Sequence, residues 1–203
     1  MIRRRGFFVV LEGPDKSGKS TQARLLADAL RARGRTVLHT REPGGTSVAE
    51  GVRAVLLNPQ LTIDPVAELF LYEASRAQHV AEKIRPALAR GETVVCERFT
   101  MSSDVYQGLA RGLGLKTTRT LNAAATGGLK PNLTIVLDMP VEQFDARDKH
   151  RELDRLEREH VSFRVAVRKG YRRLAKTQPR TLIIDGTKSA NDIHRLILGK
   201  IPK

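Results

Sequence analysis

Residues 13–21 read Gly13-Pro14-Asp15-Lys16-Ser17-Gly18-Lys19-Ser20-Thr21 and satisfy the spacing G-x-x-x-x-G-K-S/T. Glycines at the two ends let a backbone wrap so that successive N–H groups point inward, where an anion can sit. Lys19 then reaches β and γ phosphates, Ser20 offers a hydroxyl to Mg²⁺, and a helix starting here presents its positive end. The chemistry is recognition of a nucleoside triphosphate with Mg²⁺, and the whole stretch from Gly13 to Thr21 is the expected ATP-binding segment. Such a loop works only between a buried strand and an amphipathic helix. Phe7 to Leu11 is a continuous apolar run of strand length, and Leu25, Leu26, Ala29 and Leu30 repeat at helical spacing before a stop signal at Gly34.

Further short, β-branched runs occur at Thr36 to His39, Thr93 to Cys96, Leu133 to Leu137 and Thr181 to Ile184, separated by stretches long enough for helices. Alternation of this kind predicts an α/β fold of three layers, a five-stranded parallel sheet flanked by helices, with ligands at the carboxyl ends of the strands. Neither a repeat nor a Pro/Gly linker divides the chain, so residues 1–203 read as a single domain. Its one irregular segment, Arg147 to Glu159, crowds charges and is expected to be a surface loop or lid.

Thirty-six Lys and Arg against 22 Asp and Glu leave a net charge of +14. That balance draws polyanions. Single-strand binders, however, interleave basic residues with aromatic platforms, and here aromatics are 4% with no Trp. The densest basic segment, His160 to Arg180, carries apolar residues at helical spacing and reads as a helix with a solvated basic face. Nucleic-acid binding is therefore expected to be weak and secondary. One cysteine, Cys96, lies within an apolar strand and reads as a core residue; His79 has no metal-ligand spacing and reads as structural. Arg3-Arg4-Arg5 imitates the start of a signal peptide, but the apolar run after it stops at Glu12, and no run reaches the ~18 residues of a membrane span. A cytoplasmic, soluble chain is expected.

A phosphate loop does not choose among GTPase, helicase-type ATPase and small-molecule kinase. An Asn-Lys-x-Asp guanine signature does not occur, and the chain is short for a helicase-type ATPase. Cations recur instead at strand ends: Arg41-Glu42-Pro43-Gly44-Gly45-Thr46 follows the second strand, and Glu97-Arg98-Phe99 closes the third. Between and after them come Ser75-Arg76-Ala77-Gln78-His79 and Ser102-Ser103-Asp104-Val105-Tyr106-Gln107-Gly108. In this order, over essentially the whole chain, these segments resemble thymidylate kinases, especially bacterial ones, which phosphorylate dTMP with ATP.

The resemblance implies a division of labour. Lys19 and the loop amides hold ATP, with Gly186 and Thr187 after the last strand near adenine. Asp15, Glu42 and Arg53 border the acceptor's sugar and phosphate, and Arg98 binds its phosphate. Tyr72 stacks on the base; Arg76, Ser103 and Gln107 hydrogen-bond it; Tyr106 packs under the sugar. Ser20 and Glu97 flank Mg²⁺. Leu153-Asp154-Arg155-Leu156-Glu157 resembles the family's lid stretch, which makes Arg147, Lys149, Arg151 and Arg155 candidate catalytic cations beside Lys16, within a lid around 147–159. Sequence leaves open whether Lys16 or the lid carries the load. Three positions depart from the family pattern: Glu97 for Asp, Phe99 for Tyr or His, and Tyr72 for Phe. A homodimer is implied too. Kinases of another nucleotide or deoxynucleoside, and an ATP-switched nucleic-acid module, are the alternatives.

Overall fold

The computed structural model describes residues 6–143 and 153–202. Its five strands are β1 (Phe7–Glu12), β2 (Val37–Arg41), β3 (Thr93–Glu97), β4 (Leu133–Asp138) and β5 (Thr181–Asp185). They form one sheet in the order β2-β3-β1-β4-β5, and every neighbouring pair is parallel. Helices α1 (Lys19–Ala32), α2 (Ser47–Leu57), α3 (Pro65–His79), α4 (Arg85–Ala89), α5 (Thr100–Ser103), α6 (Leu115–Thr126), α7 (Val161–Thr177) and α8 (Ala190–Leu198) make the connections.

Alternation along the strands divides the core into layers. Val9 and Leu11 of β1 join Val95, Ile135, Leu137 and Ile184 on one face, where Leu26 and Leu30 of α1 and Ile193 and Ile197 of α8 cover them. Phe8 and Val10 point the other way, toward Val80, Ile84 and Phe99. Val136 shares that second face with Val167, Tyr171 and Leu174 of α7. The three-layer arrangement expected from the alternating runs is thus present.

Each strand extends past its apolar run to a charged residue: Glu12, Arg41, Glu97, Asp138 and Asp185. Ladder bonds are made by the backbone, so pairing continues through Leu11 with Glu97 and Glu12 with Val136 even where side chains turn polar. All five charges therefore collect at one edge of the sheet.

Local sequence fixes the entry to this edge. Gly18 opens α1 at φ 94°, Thr46 caps α2 by accepting from Ala49 N at 3.2 Å, and Asp64 with Pro65 opens α3. Two π-helical turns, Val80–Ile84 and Asp104–Ala110, were not legible in the periodicity. The first runs into α4, where Pro86 has no N–H to give, and the second carries Tyr106 and Gln107.

Asp138, which closes β4, anchors the basic helix. It accepts from Arg168 Nε at 2.8 Å and Nη2 at 3.0 Å, and from Arg172 Nη1 at 2.8 Å. The basic face of α7 is therefore partly neutralised rather than wholly solvated. Truncating the clamp of α1 on the sheet, Leu26→Ala, is expected to lower unfolding free energy by ~2–5 kcal/mol, read from the urea midpoint.

Candidate active site

The phosphate loop bends where only certain residues fit. Gly13 has φ 138°, and a Cβ there would lie 2.5 Å from the Leu137 carbonyl oxygen. Lys16 occupies the left-handed region at φ 58°, a costly backbone setting for a side-chain-bearing residue. Gly186 closes in from the end of β5: its N–H donates to the Asp138 carbonyl at 2.8 Å, and a Cβ would meet Ser17 O at 3.4 Å. Thr187 follows, its N–H and hydroxyl both donating to Asp185.

Lys19 folds back on its own loop, donating to the carbonyls of Gly13 at 3.1 Å and Pro14 at 2.7 Å. Burial, reinforced by the positive charge of Arg98, lowers its ammonium pKa to about 7 despite Asp15, Glu12 and Glu97 nearby. Next in the loop, Ser20 donates from Oγ to Glu97 Oε2 at 2.5 Å, and His39 meets Glu97 Oε1 at 3.2 Å. Burial alone would raise the Glu97 pKa, but those hydrogen bonds and the charges of His39 and Lys19 bring it below the usual carboxylate value.

Arg98 sits at φ 64°, its N–H donating to the Leu11 carbonyl at 2.8 Å, so its side chain turns back across the end of β1. Nη1 donates to Gly13 O at 3.2 Å, Ser102 Oγ at 3.2 Å and Tyr171 OH at 3.1 Å; Nη2 donates to Tyr106 OH at 3.2 Å and pairs with Asp15. Tyr106 in turn donates to Asp15 Oδ2 at 2.8 Å. Against the pull of burial, Arg98 and Lys19 keep Asp15 below its ordinary pKa. One guanidinium thus joins the phosphate loop to the segment after β3.

Sequence reasoning missed what supports that guanidinium. Glu12, fully buried, accepts from Phe99 N at 2.8 Å, Ser102 N at 3.2 Å, Ser102 Oγ at 2.6 Å and Tyr171 OH at 3.0 Å. Burial raises its pKa, opposed by Ser102 and Arg98. A carboxylate closing an apolar strand directly before an anion-binding loop was the available signal. Nothing marked Tyr171, which sits at an apolar position of a basic helix.

Beside the loop lies a cavity of about 500 Å³ lined by Asp15, Glu42, Arg53, Tyr72, Arg98, Ser103, Tyr106 and Gln107, with Pro43, Leu57, Ser102, Asp154 and Leu156. Eight residues expected from sequence to meet the acceptor are therefore gathered here. Arg53 donates to the Pro43 carbonyl at 2.8 Å. Burial and the charge of Glu68 push the Tyr72 phenol pKa up, so its ring stays neutral. A second, more apolar cavity of about 420 Å³ adjoins it, sharing Asp15, Tyr106 and Leu156.

Arg76 is the exception. It is 1% exposed and does not line the cavity. Its Nε donates to Glu42 at 2.7 Å, Nη1 to Glu73 at 2.5 Å, Ser103 at 2.9 Å and Asn122 at 2.8 Å, and Nη2 to the Phe99 carbonyl at 3.1 Å. Two carboxylates hold it behind the wall, so it orients Ser103 and Glu42 rather than facing the acceptor. His79 completes that layer, bridging Glu42 at 3.1 Å and Thr40 at 2.7 Å, and its structural reading holds. Phe99 is core, edge-on to Phe8 at 5.0 Å, and Cys96 is buried.

Of the lid cations, Arg147, Lys149 and Arg151 lie outside the described residues, as do Arg3, Arg4 and Arg5. Arg155 does not reach toward the phosphate loop as expected: Nη2 pairs with Glu68 at 2.6 Å and Nε donates to the Leu56 carbonyl at 2.9 Å. The buried carboxylate on α3 competes for it successfully because Glu68 has no access to water.

A family model described as thymidylate kinase matches residues 11–197. The chain is similar to a thymidylate kinase of Caldanaerobacter subterraneus, 46% identical over 195 residues that cover 96% of this chain and 94% of that protein. It is likewise 46% identical to one from Deinococcus radiodurans over 192 residues, 94% of this chain and 93% of that protein. Among solved structures, the crystal structure of thymidylate kinase from Ehrlichia chaffeensis superposes with a TM-score of 0.79 at 29% identity, covering 96% of this chain and 98% of that one. With a phosphate loop and an acceptor cavity joined through one arginine, and with likeness extending over nearly its whole length, the chain belongs to the thymidylate kinase family.

Proposed function

We infer that this protein transfers the γ-phosphoryl group of ATP to dTMP, giving dTDP and ADP. The observation that carries the reading is Arg98, which touches the Gly13 carbonyl of the phosphate loop and lines the acceptor cavity at once. Two anionic reactants repel each other, and a single cation held between them lowers that cost where they must meet. Loop amides and Lys19 take the donor phosphates; Arg53 and Arg98 take the acceptor phosphate. Tyr72 offers a flat face to the base, and Tyr106, fixed by Asp15, crowds the sugar. The acceptor oxygen is already anionic, so alignment and charge neutralisation do the work and no general base is required.

Ser20 and Glu97 fit a Mg²⁺ ion. They bring two hard oxygen donors together, and Glu97 is held in its ionised form. Among the described residues no group of three or more His, Cys, Asp or Glu forms a protein cage, which suits an ion that keeps waters and substrate oxygens as its remaining ligands. When bound, Mg²⁺ neutralises the β and γ phosphates.

The same reading takes residues 1–203 as one domain with a closing segment around 147–159, and assigns the migrating charge to Lys16 together with Arg147, Lys149 and Arg151, since Arg155 is held by Glu68. No helix among the described residues is long and apolar enough to cross a membrane. A reducing, cytoplasmic setting suits the lone buried thiol of Cys96. A homodimer is supported by unpartnered apolar positions on adjacent helices: Val48 and Val55 one face of α2, Val66 and Phe70 one face of α3, with Phe70 55% exposed.

ADP release measured with dTMP, dUMP, dCMP, dGMP and thymidine should be fastest at limiting concentration with dTMP; a maximum with thymidine or dGMP would overturn the assignment. Lys19 gives a pH signature. At pH 8 its amine is mostly deprotonated, since its pKa is about 7, and nucleotide phosphates raise that pKa again. ATP binding should therefore take up on the order of one proton, seen by calorimetry in buffers of different ionisation enthalpy, and Lys19→Met should abolish the uptake. Phe70→Glu should convert a dimer to a monomer in light scattering after size exclusion, whereas an unchanged mass would place the interface elsewhere.

A further inference from the structure

Glu68 is wholly buried on α3, beside the acceptor cavity but not part of its lining. Its Oε1 accepts from Gln107 Nε2 at 2.8 Å and from Arg111 Nε at 3.4 Å. Its Oε2 accepts from Arg111 Nη2 at 3.3 Å and pairs with Arg155 Nη2 at 2.6 Å. Two guanidiniums face this carboxylate, and a carboxylate only accepts hydrogen bonds. An amide beside it has one acceptable orientation, NH₂ toward Glu68. For Gln107, which lines the cavity, the carbonyl oxygen is then the amide atom left for the bound base.

We propose that Glu68 is a specificity-determining positioning residue, which locks the Gln107 amide so that only a base carrying N3–H can pair with it. This rests on the dTMP reading above and on Gln107 as the residue that meets the base edge. Thymine and uracil present N3–H as a donor; cytosine presents a lone pair at N3 and an amino group at C4. A carbonyl fixed at this position accepts from the first pair and opposes the lone pair of the second. Without the lock, an amide serves either base by rotating half a turn at little cost, so Gln107 alone does not discriminate. The lock also reaches the end of the lid segment and the helix after it: Arg155 and Arg111 share Glu68, and Arg111 further binds Glu159 at 2.5 Å and lies 4.6 Å over the Phe163 ring. Base orientation and the placement of residues 155–163 thus depend on one carboxylate.

In Glu68→Gln the two arginines compete for the single remaining oxygen, its NH₂ turns toward Gln107, and the Gln107 amide rotates. The measurement is the ratio of kcat/KM for dTMP to that for dCMP, which is independent of the fraction of enzyme folded. Glu68→Gln should lower this ratio tenfold or more, with the larger share from a raised KM for dTMP. Glu68→Asp keeps the charge for both arginines while withdrawing the carboxylate by one methylene, and should lower the ratio by about three- to tenfold. A Glu68→Gln ratio within threefold of the parent overturns the lock; if that variant yields no soluble enzyme, a Glu68→Asp ratio within twofold does so. Gln107→Leu separates the two layers of inference. An altered ratio there with an unaltered one in Glu68→Gln removes the lock alone, and an unaltered ratio in Gln107→Leu removes Gln107 as base reader and the lock with it. A parent enzyme that does not prefer dTMP removes the substrate reading itself.

Discussion

Arg98 places a permanent positive charge in an enclosed position between the phosphate loop and the acceptor cavity, and an unpaired charge there would cost several kcal/mol. Asp15 answers it directly, while Glu12 answers it at one remove. Because the Glu12 carboxylate can only accept, the hydroxyls of Ser102 and Tyr171 must spend their protons on it, which turns their lone pairs toward Arg98 Nη1. The donor directions of the guanidinium are thereby fixed from behind by oxygen atoms drawn from three different elements. The strained backbone at φ 64° makes the side chain point across β1, and without that turn it would follow the strand direction away from the loop.

This device depends on the sheet. In a parallel arrangement all strand ends of one sense lie on one edge, so residues 12, 41, 97, 138 and 185 become neighbours although the chain separates them widely. The register sets Leu11 opposite Glu97, which brings Glu97 within reach of Ser20 at the start of α1. A slip of one residue would exchange the faces of Glu97 and Arg98 and would break both the Ser20 contact and the bridge to Asp15. Packing against α1 and α8 on one face and α7 on the other specifies the register, so apolar burial is what makes the polar geometry reproducible.

How much of this was legible in the sequence follows from how local each requirement is. The phosphate loop was legible because Gly13, Gly18 and Lys19 answer a backbone need within a few residues. The five strands were legible from their buried runs, though not the polar residues that end them, because hydrophobic periodicity reports burial rather than pairing. Asp15, Tyr72, Tyr106 and Gln107 were reached through ordered motifs, and the cavity gathers them. Glu12, Glu68 and Tyr171 were not reached: each acts by contact with residues dozens of positions away, and a lone carboxylate or phenol in an apolar run carries no spacing to read. The placement of Arg76 shows the same limit, since its motif marks its neighbourhood but not whether two carboxylates, Glu42 and Glu73, hold it behind the wall.

The net charge of +14 then takes a different meaning. Acidic residues are outnumbered, yet the buried ones sit where cations need them: Glu42 and Glu73 on Arg76, Glu68 on Arg111 and Arg155, with partly buried Asp138 on Arg168 and Arg172. Each pairing removes a guanidinium from competition for nucleotide phosphate. Strongly basic surfaces would compete with the site for the same substrate; the acids placed against these arginines hold them away from it, while Arg53 and Arg98 line the acceptor cavity and Lys19 is buried in the phosphate loop. The excess of positive charge still raises the potential around the molecule and favours the approach of anions, while internal ion pairs decide where an anion comes to rest.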